Sequence, residues 1–242
     1  MKKKKNFILF HINIYFSSVS IKERKRLIEK CYFPLLEFIN KANNNSISIE
    51  ISGLSLEIIN NIFPQWIKLF KKLIKQKKCE LIGSGYSQII SPLIPYEINM
   101  YNLKYGNKIY KKLLGTRPKI ALINEMAFSK SLIDIYKKNG FEIIIFDKQN
   151  IKKIHKKDRT INHIKYDDKE IGVIWADSEN FQRFQYYIHN EITFQQYLKF
   201  LLGKSNQGEY ICLYSSDAET FNYRTNRFNY EKKLFKINDS NS

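Results

Sequence analysis

The sequence predicts an α/β fold, a seven-stranded (β/α)7 TIM-like barrel with parallel strands inside and helices outside. Three observations point there. Seven short runs rich in β-branched and aromatic residues recur along the 242 residues. Between many of them the apolar period changes from that of a strand to that of a helix. The runs themselves are near-continuously apolar, as parallel strands covered on both faces must be.

The runs are Phe7 to Phe10, Ile47 to Ile51, Cys79 to Ile82, Ile120 to Ile123, Ile143 to Phe146, Ile171 to Trp175 and Tyr210 to Tyr214. Lys2 to Lys5 precede the first run, but His11 and Asn13 break its apolar stretch and no small-residue cleavage site follows. It reads as a strand behind a lysine-rich tail over residues 1–6, not as a signal peptide. Ser20 with Glu23 forms a capping box ahead of a helix through Leu27 and Ile28. Trp66, Leu69, Phe70, Leu73 and Ile74 share one face of a helix whose other face carries Lys68, Lys71, Lys72 and Lys75. Pro95 fits the first turn of a long helix closed by Gly115. Ser129 and Gly140 bracket a helix carrying Leu132, Ile133 and Tyr136. The polar, lysine-rich segment from Asp147 to His163 reads as a loop, and residues 229–242 as a polar tail. Residues 1–242 are expected to form a single catalytic-type barrel domain. In an open doubly wound sheet a Gly-rich phosphate turn would follow the first strand, whereas here His11, Ile12 and Asn13 do.

With 43% hydrophobic and 14% aromatic residues the chain can bury a full core, which excludes a disordered class. No apolar run reaches the roughly eighteen residues of a membrane span, so no membrane partner is expected. The formal charge is +18, yet 34 of the 41 basic residues are Lys and 7 are Arg, alongside 37 Ile, 23 Asn and 5 Ala. That drift has the character of a codon bias. The lysines are spread along the chain, and Arg is the side chain suited to forked contacts with phosphate and guanine, so no nucleic acid is expected as a partner. Cys31, Cys79 and Cys212 are isolated in apolar surroundings, which points to a reducing, cytoplasmic setting. His11, His155, His163 and His189 lack ligand spacing, so no metal is expected. A metal-dependent polysaccharide deacetylase on a similar barrel would need a closely spaced histidine pair. No Gly-x-Ser-x-Gly elbow is present.

In such a barrel the chemistry sits at the C-terminal ends of the strands. Those positions hold His11 and Asn13, Ser52 and Gly53, Gly83 to Gln88, Asn124 and Glu125, Asp147, Asp177, and Asp217 with Glu219. Glu125 and Asp217 follow the fourth and seventh runs. A carboxylate pair is the minimum equipment for glycoside cleavage, one acting on the sugar carbon and the other on the proton of the leaving oxygen. In the loop Gly83–Gln88, two glycines admit a ligand close to the backbone while Tyr86 offers an aromatic platform. Trp175, near Asp177, carries the same sugar-stacking reading. The plainer readings are a tight βα turn for the loop, core packing for Trp175 and helix capping for the acids.

The segments FHINIYFS from Phe10, CELIGSGYSQIISPLIP from Cys79, KIALINEMAFS from Lys119 and YSSDAETFNYR from Tyr214 resemble successive motif regions of the glycoside hydrolase family 57 catalytic domain. The resemblance runs from about Phe7 to about Phe228. It implies a seven-stranded β/α barrel and retaining chemistry on α-linked glucans and related sugars, with no metal or organic cofactor. It also implies that Glu125 is the nucleophile, Asp217 the general acid/base and His11 a sugar contact. Asn13, Ser84, Tyr86, Gln88, Trp175, Asp177 and Glu219 complete the expected substrate-binding set. The family's first region usually reads His-Gln-Pro where this chain has His11-Ile12-Asn13, and its third often has Trp where Leu122 stands. The C-terminal helical portion of longer members does not follow within the 25 residues after Asp217. The expected function is a retaining glycoside hydrolase or transglycosidase acting on an α-linked poly- or oligosaccharide. The alternative is a non-catalytic or degenerate sugar-binding protein on the same barrel. The oligomeric state stays open.

Overall fold

The computed structural model describes residues 5–15, 19–42, 47–147, 162–205 and 210–220. The strands are β1 (Lys5–Ile12), β2 (Ile47–Ile51), β3 (Cys79–Gly83), β4 (Ile120–Leu122), β5 (Ile143–Asp147), β6 (Asn162–Tyr166), β7 (Lys169–Ala176) and β8 (Tyr210–Asp217). The helices are α1 (Arg24–Leu27), α2 (Phe33–Lys41), α3 (Gly53–Ile62), α4 (Pro64–Lys75), α5 (Tyr96–Leu114), α6 (Leu132–Lys138), α7 (Ser178–Ile188) and α8 (Phe194–Ser205). A π-helical turn, Ile28–Tyr32, joins α1 to α2.

All strands belong to one sheet in the order β6-β7-β5-β4-β3-β2-β1-β8. Every pairing is parallel except β6 with β7. The seven apolar runs are the seven parallel strands. The hydrogen-bonded ladder does not close, yet the sheet is rolled. Leu9 of β1 packs in one cluster with Ile82, Leu122, Ile145 and Ala176 from β3, β4, β5 and β7. Strands that far apart in a flat sheet could not share a cluster, so these residues face the interior of a barrel. Two larger apolar clusters fill the outer layer. One packs Ile47, Ile49 and Ile51 against α2, α3 and α4, and the other packs Ala121, Ile144 and Val173 against α6.

Alternation along each strand therefore divides inner from outer side chains. In β1, Ile8, Phe10 and Ile12 pack outward and Leu9 inward, so His11 shares the inner face with Leu9. In β2 the three isoleucines pack outward, leaving Ser48 and Glu50 on the inner face. This parity is the main determinant of the site.

Several local expectations are corrected. β1 starts at Lys5, inside the stretch read as a tail, because Lys5 and Asn6 pair with Tyr210 and Ile211. Residues 1–4 and 221–242, including the rest of both tails, lie outside the described residues. So do His155 and most of the segment read as a loop after Asp147. Asn162 and His163 nevertheless belong to β6, an edge strand joined to β7 across Asp167–Asp168, with Asp167 at φ 52°. Pro95 sits one residue before α5, and α6 begins at Leu132, preceded by Ser131. Gly115 (φ 79°) ends α5 in the left-handed conformation expected of it. Among the described residues, no helix is long and apolar enough to cross a membrane.

Candidate functional site

A cavity of about 800 Å³ opens at the C-terminal end of the barrel, lined by residues that follow β1, β3, β4, β7 and β8. His11, Asn13, Gln88, Glu125, Asp217 and Glu219, all singled out from the sequence, line it together. Four other expected residues do not.

One wall is a hydrogen-bonded chain built on the inner face. His11 of β1 is in register with Asp217 of β8, and Leu9 with Ser215. The His11 ring stands between two partners, with Nδ1 3.2 Å from Glu50 Oε2 and Nε2 3.3 Å from Ser215 Oγ. Glu50 is fully buried, yet it accepts from the Gln88 Nε2 amide, 3.4 Å from each of its oxygens. Asn13 Nδ2 in turn donates to Gln88 Oε1 at 2.6 Å. A buried carboxylate is tolerated only where polar partners surround it, and here His11 and Gln88 supply them. Sequence reasoning missed Glu50. Its only trace is one acid in a five-residue strand, ISIEI, alternating with Ser48 and three isoleucines.

Gln88 reaches this wall because the loop after β3 is tied down. Gly85 takes φ 89°, and a Cβ there would collide with Asn102 Nδ2. Asn102 clamps the loop: its Oδ1 accepts from Ser87 N at 2.8 Å and its Nδ2 donates to Ser87 O at 2.9 Å. The Tyr110 hydroxyl donates to Ile51 O at 2.6 Å and accepts from Ser84 N at 3.2 Å, joining the ends of β2 and β3.

Glu125 follows β4 and enters the cavity on a strained turn. Its backbone is left-handed (φ 52°, ψ 18°), and Met126 also has positive φ (54°). For residues with a Cβ this costs about 1–2 kcal/mol each, a strain that surrounding structure must hold and that concentrates at functional sites. The holding contacts are visible. Ile123 N donates to Ile145 O at 2.9 Å, and Asn124, buried beside Glu125, donates from Nδ2 to Ser84 O at 3.1 Å.

Asp217 ends β8 in register with His11 of the neighbouring strand, half-buried, and its carbonyl accepts from the Tyr214 hydroxyl at 2.8 Å. Glu219 follows in a short 3-10 turn and is buried. The π-helical turn before α2 brings Tyr32 to it, with the phenol donating to Glu219 Oε2 at 3.3 Å. Burial, reinforced by the Glu219 charge, pushes the Tyr32 phenol well above its ordinary range. The same two causes push the neighbouring Cys31 thiol up to about 12, so it stays a protonated packing group bonded to Ala218 O at 3.2 Å. Phe181, in the first turns of α7, supplies an aromatic edge to the cavity that the sequence did not single out.

Ser84, Tyr86, Trp175 and Asp177 are placed elsewhere. Ser84 is buried and acts through its backbone, as above. Tyr86 lies over Gly53, stacks edge-on against Tyr105 (4.6 Å between ring centroids) and donates to Glu57 at 3.1 Å, all on the helix side. Trp175 has the outward parity of β7 and packs against Phe146 at 4.9 Å. Asp177 is the N-cap of α7, its side chain accepting from Asn180 N at 3.4 Å. Asp147 accepts from Ser178 N at 2.9 Å, the helix-capping role that is the plainer reading of such acids. Among the described residues, no three His, Cys, Asp or Glu side chains are grouped as ligands for a metal ion.

Comparison with known proteins adds identity to this geometry. An alpha-amylase from Pyrococcus horikoshii is 29% identical over 123 residues, covering 51% of this chain and 19% of the amylase. A 4-alpha-glucanotransferase from Thermococcus litoralis is 24% identical over 118 residues, covering 49% of this chain and 18% of its own length. The crystal structure of the 4-alpha-glucanotransferase from that organism superposes with a TM-score of 0.73 over 95% of this chain and 36% of that one, at 18% identity. The chain thus spans about a fifth of the length of the curated relatives it matches. The sequence profile described as glycosyl hydrolase family 57 matches residues 3–242, and the chain belongs to that family.

Proposed function

We propose that this chain is the catalytic barrel of a retaining glycosidase or transglycosidase acting on α-linked glucose polymers or oligomers. The observation that carries the reading is the placement of Glu125 and Asp217, from the ends of β4 and β8, on one cavity of about 800 Å³. Family membership and relatives named alpha-amylase and 4-alpha-glucanotransferase supply the substrate class.

In the first step the Glu125 carboxylate bonds to the anomeric carbon as the glycosidic C–O bond breaks, and the Asp217 carboxyl gives its proton to the departing oxygen. In the second, Asp217 takes a proton from water or from an acceptor hydroxyl, whose oxygen displaces Glu125. Glu125 is exposed to the cavity on a turn that fixes its direction, which suits attack without reorganisation. The polar wall of His11, Asn13, Gln88 and Ser215 binds sugar hydroxyls, Glu219 lies beside Asp217, and Phe181 gives a face for ring stacking. The buried cysteines fit a reducing, cytoplasmic setting.

The test is turnover of linear maltooligosaccharides by Glu125→Gln and Asp217→Asn. Loss of about a thousandfold or more for the first and about a hundredfold or more for the second is expected. Unchanged turnover in either variant refutes the assignment. Binding of the oligosaccharide without turnover by the unmodified chain would select the non-catalytic sugar-binding reading.

A further inference from the structure

We propose that Glu50 is a positioning residue that fixes the tautomer of His11, so that Nε2 accepts from the Ser215 hydroxyl and the Ser215 oxygen is left as the acceptor for a sugar hydroxyl in the cavity. The inference rests on reading this cavity as the sugar site, but the network that carries it stands on its own geometry.

Its direction is set by a backbone group. Tyr15 N–H donates to Asn13 Oδ1 at 3.0 Å, which leaves Asn13 Nδ2 as the donor toward Gln88. Gln88 Oε1 is therefore the acceptor of that 2.6 Å bond, and Gln88 presents Nε2 to Glu50. The Glu50 carboxylate has only acceptors to offer. The ring nitrogen 3.2 Å from it must then bring a hydrogen, which assigns the proton of neutral His11 to Nδ1. Nε2 keeps its lone pair and accepts from the Ser215 hydroxyl 3.3 Å away. The opposite tautomer would aim a bare lone pair at a buried carboxylate. Every donor and acceptor along Tyr15 N–H, Asn13, Gln88, Glu50, His11 and Ser215 is matched in one sense only, and Glu50 is the member where the two donor directions meet.

The consequence for recognition is a wall that reads a hydroxyl as a donor. A sugar O–H entering there meets the lone pairs of Ser215 Oγ, whose own hydrogen is held by Nε2, while Asp217, in register with His11 on the next strand, stands alongside. Glu50, fully buried behind the ring, does not touch this hydroxyl and acts on it through His11 and Ser215.

The experiment uses the full chain labelled with 15N-histidine, with the His11 resonance assigned by its loss in His11→Asn. Spectra are recorded near pH 8.5, where an imidazole is ordinarily neutral. A protonated Nδ1 and an unprotonated Nε2 are expected; the reverse pattern overturns the proposal. In Glu50→Gln, which preserves shape, a donor replaces an acceptor. Two donors, the Gln88 amide and His11 Nδ1–H, then compete for the one remaining acceptor oxygen, so His11 meets the new donor in part of the molecules. A changed tautomer balance is expected, with kcat/KM on maltooligosaccharides about tenfold lower or worse, the scale of a lost charge-assisted hydrogen bond. The double swap E50Q/Q88E moves the carboxylate along the chain and restores each donor–acceptor match, so the tautomer should return, whatever the new carboxylate does to sugar binding. An unchanged tautomer in the single variant, or no return in the double one, overturns the proposal. A residue that only fills space would change melting temperature without moving the nitrogen signals. Because those signals need no turnover, absence of glucan activity with the predicted spectra would overturn the glycosidase reading and leave the Glu50 assignment standing.

Discussion

Replacing Glu125 by glycine and, separately, by alanine separates the strain of the turn from the chemistry of the carboxylate. Both variants lose the side chain and are expected to lose turnover. They differ in backbone freedom. At φ 52° and ψ 18° an alanine keeps the Cβ that clashes in the left-handed region, at about 1–2 kcal/mol, whereas glycine has none. Against this, glycine's greater freedom in the unfolded chain costs about 0.4–1 kcal/mol relative to alanine. The difference leaves Glu125→Gly more stable than Glu125→Ala by about 0.5–1 kcal/mol. For a chain of this size that is about 1–4 °C in Tm, within reach of calorimetry or paired urea titrations. The usual ordering at a helical or extended site is the opposite. If the alanine variant is equally or more stable, the left-handed turn is not the conformation held in solution, and the argument that strain aims Glu125 into the cavity fails.

Other consequences follow from the same geometry. Gly106→Ala would bring a Cβ to 2.5 Å from Gly85 C and 2.7 Å from Tyr86 N, backbone atoms that cannot swing aside. After the helix-propensity gain, a net loss of about 2 kcal/mol is expected, together with reduced activity as the Gln88 loop shifts. Gly203→Ala in α8, where a Cβ meets nothing within 4 Å, should instead stabilise slightly, and a melting comparison showing no difference between the two would contradict this packing. Burial raises the phenols of Tyr110 and Tyr136, and burial together with Glu219 raises Tyr32, above the ordinary phenol value of about 10. Folded phenols then hold protons that unfolded ones release, so their contribution is intact below about pH 10 and is lost as pH rises above it. Tm should fall steeply there, with tyrosinate absorbance appearing in step with unfolding; ordinary titration of these residues in the folded protein would refute the assignment.

Much of this was legible in the sequence because a parallel barrel writes itself as apolar runs punctuated by helices, and its site as polar residues just past each run. His11, Asn13, Gln88, Glu125, Asp217 and Glu219 follow that rule. What a single strand does not reveal is which of its two faces turns inward. ISIEI is equally an edge strand with a wet face, and only the rolling of the sheet buries Glu50 under the cavity. Trp175 fails for the converse reason: the parity of β7 sends it out against Phe146 while Ala176 points in. Tyr86 depends on Gly53 and Gly106, whose missing side chains draw its loop against α3 and α5. Phe181 belongs to a helix, and an aromatic in an amphipathic helix carries no mark of the cavity its first turns border. β6 was hidden because a strand at the sheet edge carries polar residues and lacks the apolar run that marks its neighbours.

The central claim is that Glu125 forms the covalent bond to sugar. It is tested most directly by incubating the full chain with a fluorinated, activated α-glucosyl substrate that slows release of the glycosyl-enzyme, then mapping the modified peptide by mass spectrometry. One sugar per chain on the peptide containing Glu125, and none in Glu125→Gln, is the predicted result. Labelling of another carboxylate, or no labelling of the unmodified chain, would contradict the account.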